Sequence, residues 1–366
     1  MRSPAVVGHF LPGVRIGTGT GEATAGLIRG LAARGISQVL ISPGPIELSS
    51  ELRAKIQVRP VRRFGSGRMA YPILKTTTTF DVGLLVIHGG WSLPLVVAAR
   101  WAKRSEVPYL IMTHGVYDRN VVARHSARKR LWMSALERRY VRQASAVHCY
   151  FTEEYESLAA ELGESPPPHI ATPSAVEMPP VVWTGQDSDY VLWMGRFDVE
   201  NKGLDLLLEA LALLRESDRP LLRLHGKGPE KGKRAAQRIV ERLRLQRWVK
   251  IGGFLSGPEK WRTLSEARAY VFPSRWEAFG MALAEAVGVG VPTVATPVPL
   301  ANYFAERGAV RLAESTPDGI AEALTFVLST NCQLLSHRGR EIVASDFGPE
   351  AVADQWLMQL KGHGLL

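Results

Sequence analysis

AYVFPSRWEAFGMALAEAVGVGVPTVAT, residues Ala269 to Thr296, holds two short apolar runs with a helical stretch between them. Ala269–Phe272 is rich in β-prone residues and is closed by Pro273, whose missing amide hydrogen ends a buried strand. Apolar residues at helical spacing then predict a helix over Gly280–Val287, stopped by Gly288, Gly290 and Pro292. Thr293–Thr296 reads as the next strand. Two strands joined by a helix form a parallel βαβ unit, since an antiparallel pair needs only a tight turn.

The alternation extends in both directions. Strands are expected at Ala5–Phe10, Gln38–Ile41, Gly83–His88 and Tyr109–Thr113, with helices over Glu22–Arg34 and Leu93–Arg104. A second series starts at Tyr190–Gly195, and Pro349–Leu360 reads as a last amphipathic helix. Between the series, Ser165–Pro180 carries Pro166, Pro167, Pro168, Pro173, Pro179 and Pro180, where no helix persists. The fold expected is α/β: two doubly wound, Rossmann-like parallel-sheet domains facing a central cleft. The first covers 1–180 and the second 181–346. The terminal helix within 347–366 is expected to pack back toward the first.

Of 366 residues, 46% are hydrophobic and 22% charged, enough to build two cores. Cys149 and Cys332 stand far apart, without zinc or disulfide spacing, which fits a reducing cytoplasm. The most apolar windows, Gly83 to Trp101 and Ala284 to Phe304, are broken by glycines and prolines and read as no membrane span. Net charge is +10, and residues 1–182 hold 22 Lys/Arg against 13 Asp/Glu, so the excess lies almost wholly in the first half.

Ligands of open α/β sheets gather beyond the carboxyl ends of strands. Arg196 follows strand Tyr190–Gly195, and Lys202-Gly203 opens the next helix. Two cations and a helix N-terminus converging on one spot suit a diphosphate of about two negative charges. Glu277 precedes the helix of the opening stretch and Glu285 lies in its second turn. Within an apolar helix the Glu285 carboxylate needs donors, either vicinal ribose hydroxyls or a neighbouring Lys or Arg.

Together, Gly195-Arg196, Lys202-Gly203 and Glu277-x7-Glu285 resemble the donor site of the GT4 family of retaining glycosyltransferases, which have the two-domain GT-B fold. Gly226-x-Gly228-Pro229, Gly253-Phe254 and Gly290-Val-Pro-Thr-Val-Ala295 extend the likeness over the second half. The resemblance implies that Arg196 and Lys202 neutralise a donor diphosphate, with backbone around Phe279, Gly280 and Met281 touching phosphate and sugar. It implies that Glu277 is catalytic, binding hydroxyls of the transferred sugar, and that Glu285 holds the ribose. Ile251, Gly252 and Phe254 would pack the nucleobase. A nucleoside-diphosphate sugar is then a substrate, and no metal or other cofactor is essential.

Gly17-Thr-Gly-Thr-Gly-Glu22 lacks the third glycine of a dinucleotide fingerprint, which disfavours NAD. The resemblance instead makes Gly19 and Gly21 part of a loop over the donor phosphates. It also makes His114, after strand Tyr109–Thr113, a catalytic residue facing the bond being exchanged. Residues 119–142 read as a basic amphipathic helix, with Arg124, Arg128, Arg138 and Arg142 on one face and Lys129 among them. Such a helix suits an anionic membrane surface, or is a solvated face packed by Trp132, Leu136 and Tyr140. No nucleic-acid-binding module is visible.

The expected function is therefore retaining transfer of a hexose from a UDP- or GDP-sugar to a saccharide or lipid-linked acceptor. The expected place is the cytoplasm or the cytoplasmic face of the membrane. Alternatives are another GT-B activity, such as epimerisation or phosphorolysis, and an idle nucleotide-sugar- or membrane-binding module. Two departures bear on the sugar and on the link between domains. Pro173-Ser174-Ala175 replaces the family's Pro-Asn-Gly, and Pro297–Glu306 lacks its glycine-rich turn and Glu.

Overall fold

The computed structural model describes residues 6–15, 17–69, 71–74, 82–123, 126–163 and 166–366. The chain divides into two compact units, Met1–Ala175 with Phe347–Leu366, and Val176–Asp346.

In the first unit, strands β1 (Val7–Phe10), β2 (Gln38–Ser42), β3 (Gln57–Pro60), β6 (Leu84–His88), β7 (Tyr109–Met112), β8 (Ala146–Cys149) and β9 (His169–Ala171) form one sheet. Its order is β3-β2-β1-β6-β7-β8-β9, with every pairing parallel. β1, β2, β6, β7 and β8 are buried along their whole length. Their apolar runs do not alternate because helices cover both faces. Strands β4 (Arg63–Phe64) and β5 (Tyr71–Pro72) make a separate antiparallel hairpin.

The first helix is Gly19–Ala33, beginning three residues before the expected start. Thr18 is its N-cap, accepting from the Gly21 amide at 3.1 Å, so a Thr side chain supplies what the glycines cannot. Helix Pro349–Gly362 packs on it within this unit: Trp356 and Leu360 are fully buried with Leu27 and Leu31. Gly30 permits this, since a Cβ there would stand 2.0 Å from the Pro349 carbonyl. Arg34 grips Asp354 with two bonds of 2.6 Å and Glu350 with one of 2.5 Å.

In the second unit, β10 (Tyr190–Arg196), β11 (Leu221–Lys227), β12 (Val249–Ile251), β13 (Ala269–Phe272), β14 (Thr293–Ala295) and β15 (Arg311–Leu312) lie in the order β12-β11-β10-β13-β14-β15, again all parallel. Trp193, Leu204, Leu207, Leu211, Leu224 and Leu324 centre its core. In both sheets the chain starts in the middle, winds one way and then crosses to wind the other. This creates a switch point between β1 and β6 and another between β10 and β13.

Candidate functional site

The second unit's chemistry sits at its switch point. β10 ends at Arg196, and the turn after it is closed by the Lys202 amide on the Asp198 carbonyl at 2.8 Å. Gly203 then caps helix Leu204–Leu213 at φ +60, and a Cβ there would meet the Pro273 carbonyl at 1.9 Å. Only glycine allows that approach, which brings Lys202 against the end of β13. Arg275 fastens the same two segments with two bonds to Asp205, 2.8 and 2.7 Å, while its amide bonds the Asn201 carbonyl at 2.9 Å.

Lys202 Nζ donates to Glu277 Oε1 at 2.5 Å, and Ser274 Oγ donates to the same oxygen at 2.8 Å. Both charged side chains are over four-fifths buried. Gly280, φ +99, caps helix Met281–Val289. Neither this helix nor Leu204–Leu213 has a side chain on its first amides, so two positive helix ends accompany Lys202 at adjacent strands. Phe279 is buried in the core, whereas Met281 is partly open. Arg196, 57% exposed, reaches Asp198 at 3.2 Å, a surface pair weak enough for the guanidinium to turn to an anion.

Glu285 pairs with Lys260 at 2.8 Å, and both are largely buried. Of the two expectations for this carboxylate, the neighbouring cation is the contact present. Ile251, Gly252 and Phe254 leave the end of β12 beside β11. Gly252 lies flat on His225, where a Cβ would come within 2.4 Å of the ring, and Phe254 is 40% exposed under Lys227, whose Nζ is 3.7 Å from the ring centroid.

In the first unit, Gly17 (φ +77) donates its amide to Glu22 Oε1 at 2.7 Å. A Cβ on Gly21 would meet the Arg15 carbonyl at 2.1 Å, whereas Gly19 borders open space. Gly19 and Gly21 thus belong to a helix's first turn rather than to a loop. His114 follows β7 at φ +52, a left-handed conformation costing a non-glycine residue about 1–2 kcal/mol. Its Nδ1 lies 2.5 Å from the Tyr150 hydroxyl and its Nε2 2.9 Å from His88 Nδ1. Burial pushes its basicity down to about 3, with His148 adding to the effect, so the ring is neutral.

The single basic helix is corrected. The segment consists of helices Arg119–Ala123, Ser126–Trp132 and Arg138–Arg142, the last two joined by a π turn, Met133–Glu137. The cause is Glu137, whose carboxylate turns inward to accept from the Trp91 amide (2.7 Å), the hydroxyls of Tyr117 (2.6 Å) and Tyr140 (2.9 Å), and Trp132 Nε1 (2.6 Å). A wider turn spends an extra residue to aim it there and rotates the following arginines. Arg138 and Arg142 donate to the Glu161 and Leu162 carbonyls at the end of helix Thr152–Leu162, where cations complement the helix dipole. Lys129 donates to the Val121 carbonyl and stands over Trp91. Arg124 and the side chain of Arg128 lie outside the described residues.

Several residues at these sites carry little sequence signal. Lys260, 25 positions before Glu285, has none. Lys227 sits inside Gly226-x-Gly228-Pro229, and His9 lies on β1, where the strand-end rule would have drawn attention to it.

Residues 188–330 match the family model described as Glycosyl transferases group 1, and residues 18–173 match the Glycosyl transferase 4-like domain. Over 120 residues the chain is 32% identical to mannosylfructose-phosphate synthase of Agrobacterium fabrum, a match covering 31% of this chain and 26% of that protein. Sucrose-phosphate synthase from Thermosynechococcus elongatus is similar in structure, with a TM-score of 0.75, 17% identity and 98% of each chain covered. Anabaena HepE, solved in complex with UDP and glucose, has a TM-score of 0.75 at 14% identity, covering 98% of this chain and 100% of that one. WaaG, a glycosyltransferase involved in lipopolysaccharide biosynthesis, has a TM-score of 0.68 at 15% identity, covering 95% and 98%.

Proposed function

The chain belongs to the group 1 (GT4) family of glycosyltransferases, with a GT-B fold, and on that premise we propose that it moves a hexose from a UDP- or GDP-sugar to an acceptor hydroxyl with retention. The observation that carries the reading is the Lys202–Glu277 contact at the second unit's switch point, beside two helix N-termini. Lys202, Arg196 and the amides around Gly280 and Met281 receive the diphosphate. As charge grows on the leaving group, donors already in place lower the barrier without reorganising.

When the phosphates draw Lys202 away, Glu277 keeps Ser274 as a donor and is released toward the sugar hydroxyls. Glu285 exchanges Lys260 for ribose hydroxyls, and Phe254, Ile251 and Gly252 flank the base. The first unit receives the acceptor, with His114 lining its approach. HepE in complex with UDP-glucose makes a uridine nucleotide the first donor to try.

Calorimetry with UDP-glucose, GDP-mannose and the free nucleotides, followed by product NMR, tests this. Binding that raises the melting temperature, and an axial anomer in the product, support the reading. No binding of any nucleotide would leave an idle module, and nucleotide release without an acceptor would favour epimerisation.

A lipid-linked acceptor is favoured by one surface. Phe64, Met69 and Tyr71 of the β4–β5 hairpin are 71%, 62% and 51% exposed, among exposed Arg62, Arg63 and Arg68. From Gln57 to Phe80 the sequence has no acidic residue. Aromatic side chains interleaved with arginines suit an anionic headgroup layer, each cation adding about 1 kcal/mol. Sedimentation with anionic vesicles should be lost on Phe64→Ser/Tyr71→Ser and weakened by salt; equal sedimentation of that variant would remove the hairpin from the reading.

A further inference from the structure

His114 ends a row of hydrogen-bonded side chains that crosses the first sheet beneath its switch point. Gln38 on β2 places Nε2 3.0 Å from the Ile28 carbonyl and Oε1 3.1 Å from His9 Nε2. His9 Nδ1 is 3.1 Å from His88 Nε2, and His88 Nδ1 is 2.9 Å from His114 Nε2. Tyr150 closes the row at His114 Nδ1.

The direction of every bond follows from one end. A backbone carbonyl only accepts, so the Gln38 amide nitrogen must face Ile28 and its oxygen must face His9. His9 therefore carries its proton on Nε2, which leaves Nδ1 bare to accept from His88 Nε2–H. His88 Nδ1 is then bare and accepts from His114 Nε2–H. The other candidate there, Thr24 Oγ1 at 3.5 Å, spends its proton on the Thr20 carbonyl. His114 Nδ1 is bare in turn, and the Tyr150 hydroxyl donates to it.

From this polarity we infer that Gln38, His9 and His88 are positioning residues, holding His114 as a neutral imidazole protonated on Nε2 with both nitrogens committed inside the unit. The row is a lock rather than a proton path: moving a proton along it would need a basic terminus, and a carboxamide oxygen offers none. His114 then cannot take the acceptor's proton, and that proton must leave by another group, such as a donor phosphate oxygen. The lock also gives the left-handed His114 backbone two anchors that offset its conformational cost.

The groups facing the row agree with neutral rings. His148 lies beside it and Glu154 acts on Tyr150, while burial depresses His9 and His148 to about 4 and His88 well below its ordinary value. Thr24 and Gln38 are uncharged.

The polarity does not depend on the proposed function, but its bearing on transfer rests on His114 meeting the reacting groups. The test is long-range proton–nitrogen NMR of the full chain labelled in histidine. His9, His88 and His114 should each show a protonated Nε2 and a bare Nδ1, unchanged from about pH 5 to 8, the range in which a free imidazole titrates. A His114 protonated on Nδ1, or titrating in that range, overturns the lock.

Gln38→Leu removes the group that sets the direction at the Ile28 end. His114, two rings away, should then divide between tautomers, whereas Tyr150→Phe should leave Nε2 protonated. The opposite pattern would place control at Tyr150 and sink the assignment of Gln38. In transfer assays the kcat of Gln38→Leu should fall, to about half for an even split, because only the native arrangement of the row holds the His114 ring as in wild type, with nucleotide affinity unchanged. A shifted tautomer with an undiminished kcat would keep the lock and overturn the placing of His114 at the reaction.

Discussion

Lys202 and Glu277 neutralise each other in a largely buried place, so removing either leaves an uncompensated charge. Lys202→Met should cost about 3 kcal/mol of stability, seen as a lower melting temperature of the second unit. It should also weaken nucleoside diphosphate binding at least about tenfold, since one buried cation contact with phosphate is worth about 1.5–3 kcal/mol. Calorimetry showing unchanged affinity would remove Lys202 from the diphosphate site. Glu154, 7% exposed at the start of helix Thr152–Leu162, poses the reverse problem. Burial raises its carboxyl from 4.5 to about 7, against the pull of the Thr113 hydroxyl and the Gly115 and Tyr117 amides. Between those values the unfolded chain loses its proton first, so this group's contribution to stability falls as pH rises from 4.5 to 7. Glu154→Gln should remove that slope, and thermal melts at pH 5 and 7.5 measure it.

Among the elements, the β10 turn and the β13 turn meet because Gly203 has no side chain. Gly203→Ala forces a Cβ against the Pro273 carbonyl and a positive φ on alanine. It should lower the stability of the second unit by more than about 1–2 kcal/mol and weaken nucleotide binding with it. Wild-type melting and affinity in that variant would show that the two turns can part without consequence. Strands β1, β2, β6, β7, β10, β13 and β14, the helix Met281–Val289 and the Lys202 turn were legible from spacing, because apolar periodicity and glycine or proline punctuation are local signals, whereas β9 hid in the proline-rich stretch read as a connection. The basic segment was not. Its arginines have helical spacing, but Glu137 pulled the turn into a π form to reach Trp91 and Tyr117, residues 46 and 20 positions away in sequence.

At the scale of the whole molecule, the two units should respond differently to acid. Among its described residues the first holds four histidines kept neutral by desolvation, His9, His88 and His148 buried and His114 partly buried. Each binds a proton in the unfolded chain near pH 6.5 and in the folded one only at lower pH, so stability drains away as pH falls below that value. In the second unit His225 is half-buried, and burial lowers it. Hydrogen exchange at pH 5 should therefore show the first unit opening before the second. Simultaneous opening, or loss of the second unit first, would contradict this account.

The two parallel sheets and the family could be reached from linear sequence, and the residues proposed for a donor site were chosen there, since strand ends, helix starts and the Glu277-x7-Glu285 spacing all lie within short stretches of chain. Folding settled the partners: Lys260 for Glu285, the Glu161 and Leu162 carbonyls for Arg138 and Arg142, and the row from Gln38 to Tyr150 for His114. A hydrogen bond depends on a distance of about 3 Å and on direction. Residues brought together from five different strands and the turns after them share no spacing in sequence from which that distance could be read.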